Sequence, residues 1–280
     1  AALTSFLTEA VVKEIIASKI LPDGALQLIV GTAEWLLDHL HSQDVLTLTG
    51  SHATAKKLRA HPNIIENSIH FNCEADSLNM SILGPDATPK TPEFEIFIKE
   101  VAKEISVKAG QKCTAIRRIF VPEHLTEDVA KALKERLEKI VIGDPSIEGV
   151  RMGPLAYVAH KQAVMEQTAR LKKFCEVITD RQDNFEIKGG DREKGAFLAP
   201  TLLLCKNPLH EKMVHEIEAF GPVSTIMPYK YREDVIKMAK MGEGSLVGSV
   251  ITGDDDFARD IVLGTAAYHG RILILNKDSA

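Results

Sequence analysis

The stretch Lys108-Ala109-Gly110-Gln111-Lys112-Cys113-Thr114-Ala115-Ile116-Arg117-Arg118 joins a long helical rhythm to a short apolar strand. Upstream, Phe94, Phe97, Ile98, Val101, Ile105 and Val107 recur at mostly helical spacing until Gly110 breaks the pattern. Downstream, residues 116–122 predict a strand closed by Pro122. Cys113 therefore falls in the turn between them. A thiol so placed can face a cleft, and Lys112, Arg117 and Arg118 predict a positive local field favouring the thiolate, the reactive form. The plainer alternative is a small buried apolar filler.

Working outward, helices and strands alternate along the whole chain. Leu3, Phe6, Leu7, Ala10, Val11, Ile15 and Ile16 predict a helix over 3–17. A strand is expected at 26–30, a helix at 33–40, a strand at 45–49 and a helix at 53–60. Such alternation argues for parallel strands joined by crossover helices, an α/β fold. Thr49-Gly50-Ser51 sits where a strand breaks into a helix, a place where backbone N–H groups and the helix dipole favour a phosphate. A simple Ser51 N-cap explains the same residues. Two short β-like pieces flank Cys73–Asp76, and the loop bearing Pro85, Pro89 and Pro92 marks the expected boundary between two lobes. Beyond it, helices are predicted at 126–139, from Met152 to about Lys173, near 231–241 and near 255–263. Strands are predicted at 176–178, 197–204, 223–227, 245–252 and 271–275.

The whole chain has 280 residues, ample for a large core, and a net charge of −5, which gives no basic surface for nucleic acid. No apolar run reaches membrane-spanning length, and no signal peptide is read at the start. Cys73, Cys113, Cys175 and Cys205 are far apart in sequence and form no CxxC pair. They fit reduced cytoplasmic thiols better than a disulfide frame or a metal site.

Several spaced motifs occur in one order: Leu21-Pro22-Asp23-Gly24, Thr49-Gly50-Ser51, Glu74, Gly110-Gln111-Lys112-Cys113, Gly143-Asp144-Pro145, Met152-Gly153-Pro154-Leu155, Pro200-Thr201-Leu202, Glu218 through Val223, and Gly270-Arg271 to Asn276. Together they resemble the NAD(P)-dependent aldehyde dehydrogenase superfamily over essentially the whole chain. Ser42–Val45, Glu74–Asn79, Lys108–Arg118 and Gly270–Ala280 are most similar to the aldehyde dehydrogenase part of bifunctional phenylacetate-degradation proteins. Ala75-Asp76-Ser77 replaces the Gly-Gly-Lys run common in the superfamily, and Ala55 replaces a usual glycine.

The resemblance implies an α/β, aldehyde dehydrogenase-like fold, with residues 1–83 as part of a Rossmann-type cofactor domain and 84–280 as the catalytic domain. It implies Cys113 as nucleophile and Glu74 as general base, Gly50 and Ser51 at the cofactor pyrophosphate, Glu218 at the nicotinamide ribose and Phe220 beside the ring. The plainer alternatives are a surface acid for Glu74, a solvated acid for Glu218 and a core aromatic for Phe220. The implied cofactor is NADP, with NAD as alternative, and the implied substrate is a CoA-linked semialdehyde formed after opening of oxepin-CoA. The resemblance further implies a homo-oligomer, with a dimer contact through 53–60. It also places the oxyanion-hole asparagine upstream of residue 1 and a hydratase domain beyond residue 280, so low activity is expected of these residues alone. Another semialdehyde dehydrogenase of aromatic-acid catabolism remains open, as does a cofactor-free cysteine thioesterase or hydrolase using His160 or His215, or a non-catalytic scaffold.

Overall fold

Short apolar runs separated by amphipathic helices fold largely as their periodicities predict. The computed structural model describes residues 2–279, with side chains from residue 4 onward; the side chain of Leu3 and residue Ala280 lie outside it. The chain divides into two compact units, Ala1–Asp76 and Ser77–Ala280.

The first unit contains α1 (Ala2–Ala17), β1 (Val45–Thr49), α2 (His52–Arg59), α3 (Pro62–Glu66) and β2 (His70–Glu74). β1 and β2 pair in parallel, with Val45 opposite His70 and Thr49 opposite Glu74. Leu37, Ile64 and Ile69 form its small core, with Leu40, Leu46 and Leu58 packed against them. Two expectations are corrected here. Residues 26–30 form no strand, and Leu28, Ile29 and Val30 are exposed. An apolar run becomes a strand only beside a ladder partner, and among the described residues the sheet of this unit holds β1 and β2 alone. The helix expected at 33–40 is a short 3₁₀ segment, Glu34–His39.

The second unit runs through β3 (Asn79–Leu83), α4 (Pro92–Ser106), β4 (Ile116–Pro122), α5 (Thr126–Glu138), β5 (Ile142–Gly143), α6 (Val158–Leu171), β6 (Glu176–Asp180), β7 (Ile187–Lys188) and β8 (Thr201–Leu204). It continues through β9 (Val223–Tyr229), α7 (Arg232–Met241), β10 (Ser245–Ile251), α8 (Asp255–Thr265) and β11 (His269–Leu275). Its main sheet has the order β11-β10-β3-β4-β9-β8-β6, parallel throughout except for β6, which runs antiparallel to β8 at the edge. β3 lies inside this sheet, so it belongs with the second unit and not with residues 1–76. Helices cover both faces, which is why β4 is buried along its whole length. Phe120 enters one core, while Ile119 and Val121 enter the other.

Three element ends differ from the sequence reading. α4 stops at Ser106, and the chain reverses through 107–110. The helix expected from Met152 starts at Val158, because Met152 makes a β-bridge to Ile142 and Pro154 follows. β8 begins only after Pro200. Among the described residues no helix is long and apolar enough to cross a membrane, and no cluster of three or more His, Cys, Asp or Glu could hold a metal ion. All four cysteines are free thiols.

Candidate active site

The turn that presents Cys113 is built by three successive left-handed residues, Lys108 (φ 54°), Ala109 (φ 51°) and Gly110 (φ 69°). Two of them carry side chains, so the turn stores strain that its surroundings must offset. Gly110 could hardly be another residue. A Cβ on it would lie 2.1 Å from the carbonyl oxygen of Gly221. Gln111 fastens the turn from the other side, its Oε1 accepting from Ala156 N at 2.8 Å and its Nε2 donating to Lys108 O at 2.8 Å. Cys113 follows, exposed, at the entrance to β4.

Beneath the thiol lies Asn79, fully buried at the start of β3. Its Nδ2 donates to the carbonyls of Cys113 (2.8 Å) and Ala115 (2.9 Å), while its Oδ1 accepts from Ser77 Oγ (2.8 Å) and Val247 N (3.0 Å). Ser77 Oγ in turn accepts from Leu246 N at 2.9 Å. One amide thus ties the nucleophile turn to β3 and β10. A buried, satisfied polar network of this kind fixes one geometry. The sequence reading quoted Asn79 only within a motif. The available signal was an amide opening a short strand whose other residues are mostly apolar.

Of the three positive residues read around Cys113, Lys112 pairs its Nζ with Glu104 at 2.6 Å. The Arg118 guanidinium is buried, donating to Leu78 O (2.7 Å), Met238 O (2.8 Å) and His215 Nδ1 (3.1 Å). Burial pushes it down to about 9, so it stays cationic at neutral pH. Arg117 is buried too, and its partners lie elsewhere. Its two terminal nitrogens donate to Gly221 O (2.6 Å) and Gly110 O (2.7 Å), and its Nε lies 3.5 Å from Glu218 Oε1. Lys112 is thus paired with a carboxylate, while both guanidiniums keep their charge and spend most of their N–H groups on backbone carbonyls.

Arg117 also brings two expected site segments together. Its guanidinium carbon sits 5.4 Å from the Phe220 ring centre, so the loop bearing Glu218 and Phe220 and the turn bearing Cys113 share one cation. His160 on α6 holds this loop as well, its Nε2 donating to Phe220 O at 2.8 Å. Burial and the nearby Arg117 keep that imidazole below its usual range.

In the first unit, the ends of β1 and β2 lie side by side, and Gly50 N donates to Glu74 O at 3.0 Å. Gly50, Ser51 and Glu74 are therefore neighbours. Glu74 is exposed, because it alternates outward at the end of β2. Ser51 caps α2, its hydroxyl accepting from Thr54 N at 3.2 Å. Asp76, which stands in the segment that departs from the superfamily, takes the next donor: its Oδ1 accepts from His52 N at 2.9 Å. Ala55 is buried on the inner face of α2.

These residues fit a dinucleotide in part by what they leave open. The place of a Gly50 Cβ has only Leu48 near it, at 3.5 Å, and Gly50 and Ser51 are both exposed at a helix start. His215 fits a hydrolase poorly. It is buried, its Nε2–H donating to Pro208 O at 2.8 Å and its Nδ1 accepting from Arg118. Burial and Arg118 push it down to about 4. It has no nitrogen left to take a proton from a thiol, while His160 spends its Nε2–H on Phe220 O.

Residues 1–268 match the model of the aldehyde dehydrogenase family. The chain is 43% identical over 273 residues to a 3,4-dehydroadipyl-CoA semialdehyde dehydrogenase of Aromatoleum evansii, covering 98% of this chain and 53% of that protein. It is 41% identical over 133 residues to the protein MaoC of Klebsiella aerogenes, covering 46% of this chain and 37% of that one. Among solved structures, an apo betaine aldehyde dehydrogenase mutant from Staphylococcus aureus matches with a TM-score of 0.82 at 24% identity, over 96% of this chain and 52% of its own. HpcC from Thermus thermophilus matches with a TM-score of 0.69 at 25% identity, over 82% of this chain and 42% of its own. The chain thus spans about half the length, or less, of the relatives it matches. With the family model running through nearly the whole sequence, on an α/β fold that solved members share, the chain belongs to the aldehyde dehydrogenase family.

Proposed function

We propose that this chain carries the nucleophile, the general base and part of the cofactor site of an enzyme that oxidises a CoA-linked semialdehyde in aromatic-acid catabolism, within phenylacetate breakdown. One observation supports this most directly. An exposed thiol sits on a turn fixed by Asn79, Gly110 and Gln111, and Arg117 joins that turn to the Glu218–Phe220 loop. The name of the Aromatoleum relative supports the substrate class.

In this reading the Cys113 sulfur adds to the aldehyde carbon, and the carbonyl oxygen becomes an oxyanion. A bound nicotinamide dinucleotide, NADP or NAD, supplies the acceptor for the hydride that leaves that carbon. The thioester left on Cys113 is cleaved by a water whose proton Glu74 accepts, which restores the thiol and frees the acid. Covalent capture divides one hard oxidation into two easier steps. Gly50 and Ser51 hold the pyrophosphate, Glu218 the nicotinamide ribose, and Phe220 flanks the ring. Arg117 touches none of the reacting atoms; it positions Glu218. The complete enzyme is a cytoplasmic homo-oligomer that uses α2 in its dimer contact. By the family resemblance the oxyanion-hole asparagine lies outside these residues, and one such donor is worth ~10²–10³ in turnover, so the residues alone turn over poorly.

The test uses the full-length protein with a CoA-linked semialdehyde and each dinucleotide, followed by reduced-cofactor absorbance. Cys113→Ser should lower kcat by at least ~10³. Glu74→Gln should keep a single-turnover burst of reduced cofactor and lose the steady state. Thioester cleavage without any dinucleotide, at the rate of the complete reaction, would move the assignment to the hydrolase.

A further inference from the structure

Two cysteines that the sequence separates are brought together far from the aldehyde site. β6 and β8 run antiparallel with Glu176 opposite Leu204, so the next residue on each side, Cys175 and Cys205, continues the same cross-strand register. Their thiols share a hydrogen bond. Residues directly opposite on antiparallel strands have Cα atoms ~4.5–5.5 Å apart, inside the ~4.4–6.8 Å span that a disulfide bridges. The environments of the two sulfurs differ. Cys205 is sealed in the core, whereas Cys175 is partly exposed and lines an open cavity of about 280 Å³ together with Lys173, Lys206, Asn207 and Glu211. The Lys206–Glu176 ion pair, at 2.5 Å, closes the strand ends beside them.

We propose that Cys175 and Cys205 form an oxidisable dithiol site, which a small peroxide entering that cavity converts to a cross-strand disulfide pinning the edge strand β6 to β8. This rests on strand register and access, not on the aldehyde chemistry. The hydrogen bond decides which of the two sulfurs ionises more readily. As acceptor, Cys205 is held below the usual thiol range, and as donor Cys175 is pushed above it, so the pair gives up one proton and keeps the other.

The step balances as follows for hydrogen peroxide. Cys205 is sealed from the cavity, so reaction goes through the less populated arrangement in which the shared proton has moved to Cys205 and the accessible Cys175 sulfur attacks one peroxide oxygen. The O–O bond breaks, and a sulfenic acid and hydroxide result. Hydroxide takes the Cys205 proton to give water. The Cys205 thiolate then attacks the sulfenic sulfur, the S–S bond forms, and a second hydroxide leaves. Each sulfur is oxidised by one electron and the peroxide is reduced by two.

The experiment treats the native full-length protein with stoichiometric hydrogen peroxide, blocks remaining thiols with iodoacetamide, and maps tryptic peptides without reductant. The expected result is a dominant cross-linked pair of peptides 174–181 and 195–206, which a phosphine reductant separates. Recovery of both peptides as alkylated thiols would overturn the proposal. So would Cys175 recovered as a sulfinic or sulfonic acid without a cross-link, or Cys205 joined to Cys73 or Cys113. In the Cys175→Ser variant, Cys205 should stay outside any disulfide. Should that variant not fold, the wild-type map decides alone.

Discussion

The two units of the chain contrast in how firmly each holds its site residues. In the second, seven strands are packed between two cores, and the Cys113 turn is fixed by a backbone contact at Gly110, an amide at Asn79 and a guanidinium at Arg117. In the first, Gly50, Ser51 and Glu74 rest on a two-stranded ladder over a core of three buried residues. Two-stranded pairs are marginal by themselves. Phe6, Ile20, Val30, Trp35 and Val45 are left exposed there. The lesson is that the Cys113 turn is placed by redundancy, with several unrelated elements agreeing on one backbone path. The Gly50–Ser51 turn is placed by an N-cap and by two bonds to the end of β2 and to Asp76.

The largest expected effect tests that redundancy with one substitution made twice. Gly110 and Gly24 both have left-handed backbones, at φ 69° and 81°. A Cβ at Gly24 meets nothing within 4 Å, whereas at Gly110 it would lie 2.1 Å from Gly221 O and 2.8 Å from Pro222 N. Gly24→Ala should therefore lose only the conformational preference, about 1 kcal/mol. Gly110→Ala must also displace backbone, and should lose roughly 4 kcal/mol or more. Urea unfolding of both variants is the measurement. Equal losses would mean that the second unit can yield, and the contrast between the units would fail.

The same contrast explains what could be read from the sequence. The strands of the second sheet were legible because burial on both faces writes short apolar runs, as in Leu202 to Leu204. The helices α4, α5, α7 and α8 were legible from their amphipathic spacing. Residues 26–30 misled because an apolar run records what a strand would bury and not whether a partner is present. Cys113, Glu218 and Phe220 could be placed only through the ordered motifs of a family. Arg117 and Asn79 stayed hidden, since their work is done through hydrogen bonds to residues as remote as Gly221 and Val247, and spacing carries no trace of those.

A smaller effect should appear in acid. His215 lies neutral in the second core, held at about 4, while an unfolded chain would protonate it near 6.5. Below pH 6.5 the unfolded state binds the extra proton, so stability is fully present above about 6.5 and falls as pH drops toward 4. Below 4 both states are protonated and this contribution no longer changes. The shift corresponds to roughly 3 kcal/mol at most. Thermal melts of His215→Gln against the parent, from pH 7 to 4, should converge as the pH falls. Parallel curves would show that the imidazole is hydrated in the fold.

The smallest effect concerns two ion pairs of similar length in the two units. Lys112–Glu104 is 2.6 Å long with side chains 24% and 18% exposed, while Lys57–Glu34 is 2.7 Å long with side chains 66% and 68% exposed. Both draw one lysine to one carboxylate, so shelter is what differs. Water and salt screen the second pair almost completely, and holding two long side chains together offsets much of what remains. Lys57→Met should therefore leave the urea midpoint unchanged at any salt concentration. Lys112→Met should lower stability by about 1 kcal/mol, because Glu104 then stays partly buried without its partner. That loss should persist at high salt, since ions reach a sheltered pair poorly. A loss that vanished with added salt would place Lys112 at the surface, and the turn beside Cys113 would be no better protected than the turn at Ser51.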